Sequence, residues 1–140
     1  MTQVRKLGLW EEVKRRILIG NYVLSSRNYE GSYIKAQKLR AKLKHEFDQI
    51  FNDVDCIIGP TVPCSAWKFG KNSDNPLQDY LSDIYTIPAN LIGCPAISIP
   101  LWWVEEQGVK LPSGIQLMSK QKNENTLFYC AKIVQQFCSF

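Results

Sequence analysis

The chain has 140 residues, 45% of them hydrophobic and 21% charged, with a formal net charge of +4. One domain's length with this much apolar material excludes a disordered chain. The longest apolar runs, Ala96 to Pro100 and Leu101 to Val104, fall far short of the roughly 20 residues of a membrane-crossing helix, so no membrane is expected as a partner.

Arg5 and Lys6 near the start are followed by no apolar stretch and no small-residue cleavage site, and no secretory signal is expected. Residues 11–23 set Val13, Ile17 and Gly20 on one helical face, with Trp10 and Ile19 near its edges, which predicts a short amphipathic helix. From Tyr29 to Val54, Tyr33, Ala36, Leu39, Leu43, Phe47, Ile50 and Val54 recur at steps of three or four, predicting a second helix. Lys35, Lys38, Arg40, Lys42 and Lys44 fill its other faces. Without interleaved aromatic residues to stack on bases, these charges read as a solvated face rather than a nucleic-acid surface.

Asp53 to Asp55 end that helix, and Cys56-Ile57-Ile58, stopped by Gly59-Pro60, reads as a buried strand. A third helix is expected from Leu77 to Leu91, with Tyr80, Ile84, Ile87 and Leu91 on one stripe and a kink or break at Pro88. Ala96 to Leu101 and Ile115 to Met118 read as strands, and Leu127, Cys130, Ala131, Val134 and Phe137 as the buried stripe of a last helix. This order indicates an α/β layered fold with a mixed sheet, in one domain over residues 1–140. Thr61 to Pro76 and Trp102 to Pro112 are expected as long loops. Three strands make a small sheet for so much apolar helix surface, so the sheet is expected to be incomplete and the chain to expose apolar side chains.

The five cysteines, Cys56, Cys64, Cys94, Cys130 and Cys138, form no C-x-x-C pair, and the single His45 cannot complete a zinc site with scattered thiols. They read as reduced, intracellular thiols, and no metal site is expected. Two charges stand out. Arg16 follows Val13 by three and precedes Gly20 by four, on the apolar stripe, whereas Lys14 and Arg15 turn away. Asp83 lies three after Tyr80 and four before Ile87, beside the stripe of its helix. A buried charge needs a partner. Either the two pair with each other, or they flank a pocket in which Arg16 grips a carboxylate and Asp83 an ammonium group, a combination suited to a free amino acid.

Longer stretches carry a resemblance. Glu12 to Gly20, Lys35 to Arg40, Gly59-Pro60-Thr61-Val62-Pro63, Asp74-Asn75-Pro76-Leu77, Tyr80-Leu81-Ser82-Asp83, Pro88 to Pro100 and Leu111 to Leu117 together resemble the C-terminal half of the glutamyl-tRNA(Gln) amidotransferase A subunits, which are amidase-signature enzymes. The resemblance covers nearly the whole chain from about residue 8. It implies the C-terminal part of an α/β/α layered fold, with the residues matching Arg16 and Asp83 holding the carboxylate and amino group of the glutamine that donates ammonia. It also implies B and C subunits as partners, tRNA reached indirectly through the complex, and ATP with Mg used by the B subunit, with no cofactor in this chain. The compartment would be the mitochondrial matrix in a eukaryote and the cytoplasm in a bacterium.

The sequence also departs from that family. Its enzymes use a Ser nucleophile, a second Ser in a cis peptide and a Lys, beside a Gly/Ser-rich stretch in the N-terminal half. This chain has no such stretch, and its serines lack a neighbouring basic activator, so no catalytic residue is expected here. Arg27-Asn28 replaces a Gly and an aromatic residue, and Trp102 to Gln107 lengthens a loop. Two other readings remain open: a fragment of a general small-amide amidase, and a non-catalytic tRNA-binding or assembly protein using the Lys35 to Lys44 face.

Overall fold

A computed structural model describes residues 8–25, 29–66 and 81–138. Arg27-Asn28, Tyr80 and most of the expected Thr61 to Pro76 loop lie outside the described residues. The chain divides into two units, Met1–Lys42 and Leu43–Phe140.

In the first unit, the expected amphipathic helix is α1, Glu11–Val23. Glu11 and Glu12 occupy its first turn, where the helix dipole favours negative charge. Its apolar stripe is present but none of its residues is buried, and Ile17 and Leu18 stand well exposed. The second expected helix begins with a π-helical segment, Tyr29–Ile34, in which Tyr29 and Tyr33 stack at 5.1 Å between ring centroids. It continues as α2, Lys35–Asp53. Insertion of a wide π turn moves the register of the first apolar positions relative to a pure 3.6-residue repeat.

The second unit is built on a sheet of three strands in the order β1-β3-β2: β1 Cys56–Pro60, β2 Ala96–Glu106 and β3 Val109–Ser119. Both pairings are antiparallel, so the parallel component of a mixed sheet is not among the described strands. Alternation along the strands sorts apolar side chains to two faces. On one, Ile57 and Met118 meet Phe51, Phe47 and Leu43 of α2, with Ala89 and Ile92 of a short helix α3, Ile87–Ile92. On the other, Ile97, Ile99, Ile115 and Leu117 meet Leu127, Cys130, Ala131 and Val134 of α4, Glu124–Gln135. Helices on both faces of a sheet make the expected layered α/β class.

Two expectations are corrected. Trp102 to Pro112 is not a loop. β2 and β3 run on as a two-stranded ribbon, pairing Trp103 with Pro112, Val104 with Leu111 and Glu105 with Lys110. Gln107 and Gly108 close it, with φ of 53° and 75°, the positive pair of a type I′ hairpin turn whose twist matches the strands. A bulge between Pro100 and Trp102 absorbs Leu101, and Pro100 lies on a strand at the edge of the described sheet, where a missing N–H is tolerated. Among the described strands, Pro112 lies where β3 has only β2 beside it.

The interruption expected at Pro88 is a break rather than a kink, and it falls before the proline. The chain turns at residues 83–86, and Pro88 sits in the first turn of α3, where its missing N–H would have had no helical partner. Gly93, at φ 72°, ends α3 by donating its N–H to the Ala89 carbonyl.

The expectation of exposed apolar surface is met: Trp102 and Trp103 on the ribbon are about half exposed, and Phe128 and Tyr129 more so. Leu117, by contrast, is 2% exposed. Truncating it with Leu117→Ala is expected to cost about 2–5 kcal/mol, enough to abolish a urea transition in this small unit. Trp103→Thr on the ribbon should shift the midpoint by less than about 0.5 kcal/mol.

Candidate functional site

Arg16 and Asp83 fall in different units and different local settings. Arg16 lies in the middle of α1, with its side chain 62% exposed, and donates from Nε to Glu12 Oε1 at 2.8 Å. The expected inward, locally unpartnered arginine is therefore an outward one held one helical turn from an acid. Glu12 also accepts from Arg15, at 2.8 Å from Nε and 2.6 Å from Nη2. The Arg16 hydrogen bond and then that of Arg15 hold the Glu12 carboxyl below its usual range. A lowered carboxyl keeps its charge above its ordinary pKa, and this help to the helix is lost as pH falls through the lowered value. Sequence reasoning missed Glu12, although its spacing of four from Arg16 is the signal for such a pair.

Asp83 opens the turn at residues 83–86 instead of riding on a helix stripe. Its carbonyl accepts the N–H groups of Thr86 at 3.0 Å and Ile87 at 2.9 Å, and the Thr86 hydroxyl at 3.1 Å. Its side chain is on the surface. Two further bonds hold this turn. Asn90 of α3 donates to the Thr86 carbonyl at 3.0 Å, and Gln116 of β3 donates to the Tyr85 carbonyl at 2.8 Å. Gln116 is 6% exposed, so this bond satisfies a buried amide and fixes the Asp83 turn to the central strand. No sequence periodicity marks Gln116, which sits among the buried apolar residues of β3.

A second polar cluster lies where β1 ends. Thr61 Oγ1 and Ser98 Oγ are 2.8 Å apart, and Gly114 passes so close that a Cβ there would stand 3.1 Å from both Ser98 Oγ and the Ile99 carbonyl oxygen. Glycine permits this approach.

The thiols offer no nucleophile among those with shifted titration. Burial, with a hydrogen bond to Cys130, pushes Cys56 up to about 12, and burial also raises Cys94. Both stay protonated at neutral pH and are poor nucleophiles. Among the described residues, no group of three or more His, Cys, Asp or Glu could hold a metal ion, and no helix is long and apolar enough to cross a membrane. Two open hollows, of about 460 and 450 Å³, flank Gln121, and neither is lined by Asp83.

The family model described as Amidase matches residues 1–128. The chain belongs to the amidase family. Among curated relatives, this amidase-family chain is 48% identical to the glutamyl-tRNA(Gln) amidotransferase A subunit of Trichodesmium erythraeum over 134 residues, 96% of this chain and 27% of that protein. It is 46% identical to the corresponding A subunit of Legionella pneumophila over 136 residues, 97% of this chain and 27% of that protein. The chain thus spans about a quarter of the length of these relatives. The crystal structure of the glutamyl-tRNA(Gln) amidotransferase A subunit from Thermotoga maritima matches with a TM-score of 0.73 and 37% identity, over 99% of this chain and 30% of that one. A crystal structure described as an amidase, 17% identical over 97% of this chain and 31% of that one, shares the fold at a TM-score of 0.69.

Two outcomes are expected. Gln116→Leu strands the Tyr85 carbonyl at a cost of about 1–3 kcal/mol, and amide exchange at Thr86 and Ile87 should quicken more than at β1. At alkaline pH, a Cys56 thiol held protonated in the fold but ionising when unfolded favours the fold below its ordinary value of 9.0. This contribution is lost as pH rises toward about 12. Urea midpoints measured from pH 8 to 11 should therefore fall less steeply in Cys56→Ala.

Proposed function

We propose that this chain is the C-terminal segment of a glutamyl-tRNA(Gln) amidotransferase A subunit, and that Arg16 and Asp83 hold the glutamine that donates ammonia. The observation that carries this reading is identity of 46–48% to such subunits across nearly the whole chain. Arg16 would meet the glutamine α-carboxylate through its planar, always-charged guanidinium. Glu12, bonded at Nε, orients that guanidinium. Asp83 would take the α-ammonium, on a turn that Gln116 and Asn90 keep in place.

Gripping both ends of the zwitterion leaves the side-chain amide to be aimed at a nucleophile. That nucleophile, with its activating Ser and Lys, comes from polypeptide beyond this segment, as the family resemblance implies. Attack on the amide carbon expels ammonia and leaves an acyl-enzyme, which water hydrolyses to glutamate. B and C subunits complete the assembly. The B subunit, using ATP and Mg, activates the glutamyl-tRNA that receives the ammonia, within the bacterial cytoplasm or an organelle matrix.

The test replaces the matching segment of the Thermotoga maritima protein with this chain and assays glutamine hydrolysis with the B and C subunits. A charge-assisted bond to the carboxylate contributes about 1.5–3 kcal/mol, so Arg16→Ala is expected to raise the KM for glutamine about 10- to 150-fold, and Asp83→Asn to raise it in the same direction. Arg15→Ala should leave KM unchanged. An unaltered KM in Arg16→Ala refutes the donor-pocket role.

A further inference from the structure

Two of the five thiols meet between a strand and a helix. Strand alternation sends Ile57 to the α2 side with Met118, so its neighbours Cys56 and Ile58 turn to the α4 side. Cys56 stands opposite Ser119 in the pairing of β1 with β3, and the Ser119 hydroxyl is bonded to the Asn123 carbonyl just ahead of α4. β1 and α4 are in direct contact. Cys130 reaches the same place from the helix, on the stripe that Leu127, Ala131 and Val134 press against the sheet. There the Cys56 thiol hydrogen-bonds to the sulfur of Cys130.

The other three thiols are placed differently. Cys64 is exposed, Cys94 belongs to the cluster on the opposite face, and the Cys138 thiol is bonded to the Val134 carbonyl at 3.3 Å. Cys56 and Cys130 are each only half-buried, so a small solute can reach the pair. A structural metal needs more ligands than this. With no third His, Cys, Asp or Glu grouped there among the described residues, the two sulfurs fall short of a closed zinc site. What two adjoining thiols can do without further ligands is exchange electrons.

We propose that Cys56 and Cys130 are a redox modification site, closing into a disulfide between β1 and α4 when a small disulfide such as oxidised glutathione is present. The exchange starts at Cys130, whose sulfur bonds to one half of the oxidant and releases the other half as a thiol. Cys56 then gives up its proton to water and attacks the Cys130 sulfur, which breaks the mixed disulfide and releases the second half, again as a thiol. Two protein thiols have lost two electrons and two protons, and one molecule of oxidant has become two molecules of thiol. Cys56 suits the second step rather than the first. Burial keeps it protonated and slow toward a free oxidant, whereas toward a sulfur held beside it the scarcity of thiolate is offset by proximity. In a reducing compartment the pair rests open and closes only as the disulfide oxidant accumulates.

Closure ties the short strand β1, which pairs only with β3 among the described strands, to the helix on one face of the sheet. The link encloses β2, β3 and the Asp83 turn in one covalent loop, which restricts the unfolded chain far more than the folded one. The inference does not depend on the amidotransferase reading.

The test treats the folded chain with oxidised glutathione at neutral pH, caps the remaining thiols with iodoacetamide and maps the tryptic peptides by mass spectrometry. Expected are the loss of two of the five thiols, a cross-link joining Cys56 to Cys130, and a urea midpoint that rises on oxidation and returns with dithiothreitol. Cys130→Ala should abolish both the cross-link and the rise. Should that variant fail to fold, the double variant Cys64→Ser, Cys138→Ser, changed outside both apolar clusters, decides the matter by keeping the cross-link. Glutathione adducts without a cross-link overturn the inference, as does a cross-link through Cys64, Cys94 or Cys138. So does a link between Cys56 and Cys130 that forms no faster in the folded chain than in chain unfolded by urea.

Discussion

The second unit depends on the burial of β3 between two helical layers. Leu117 and Met118 are neighbours in sequence, so the pleat sends one to each face, and each anchors a separate apolar cluster. The residues that bracket them are polar and just as buried: Gln116 is 6% exposed and Ser119 0%. They are tolerated because each is satisfied, Gln116 by the Tyr85 carbonyl and Ser119 by the Asn123 carbonyl at 2.9 Å. Ser119 also donates its N–H to the Pro95 carbonyl at 3.1 Å. One strand thus ties together the entrance to α4, the approach to β2 and the turn that bears Asp83.

The sequence was most legible where periodicity alone decides the outcome. Thirteen residues of α1 and nineteen of α2 follow from apolar spacing, and β1 follows from the short apolar run Cys56-Ile57-Ile58, although the strand runs on through the expected Gly59-Pro60 stop and none of its residues is buried. The ribbon was hidden because Pro100, Pro112 and the two tryptophans look like loop material, whereas an edge strand and a two-stranded stretch tolerate both prolines. The signal for it was there in Gln107-Gly108, a two-residue turn between alternating segments. Pro88 misleads in the opposite way, since the same residue breaks a helix from inside and opens one from its first turn.

The site was less legible than the fold, for a physical reason. A helical wheel tells which side chains share a face but not what covers that face. Arg16 does lie with Val13 and Ile17, but in this chain the stripe is uncovered and Glu12 meets the guanidinium. Asp83 was assigned to a helix whose earlier residues lie outside the described ones, and it stands instead at a turn fixed by a buried glutamine that is 31 residues from Tyr85 in sequence. Neither a long-range amide bond nor a chain turn of that kind leaves a repeat in the sequence.

The ribbon has a consequence for how this chain can vary in length. Its tip carries no core, so residues can be gained or lost there, but only in matched pairs across the two strands. One extra residue on a single strand would set Val104 and Leu111, now paired with each other, on opposite sides and carry the mismatch toward the bulge at Leu101. Size changes at this protrusion should therefore obey a parity rule, and homologous chains that differ here should do so by even numbers or by acquiring a second bulge.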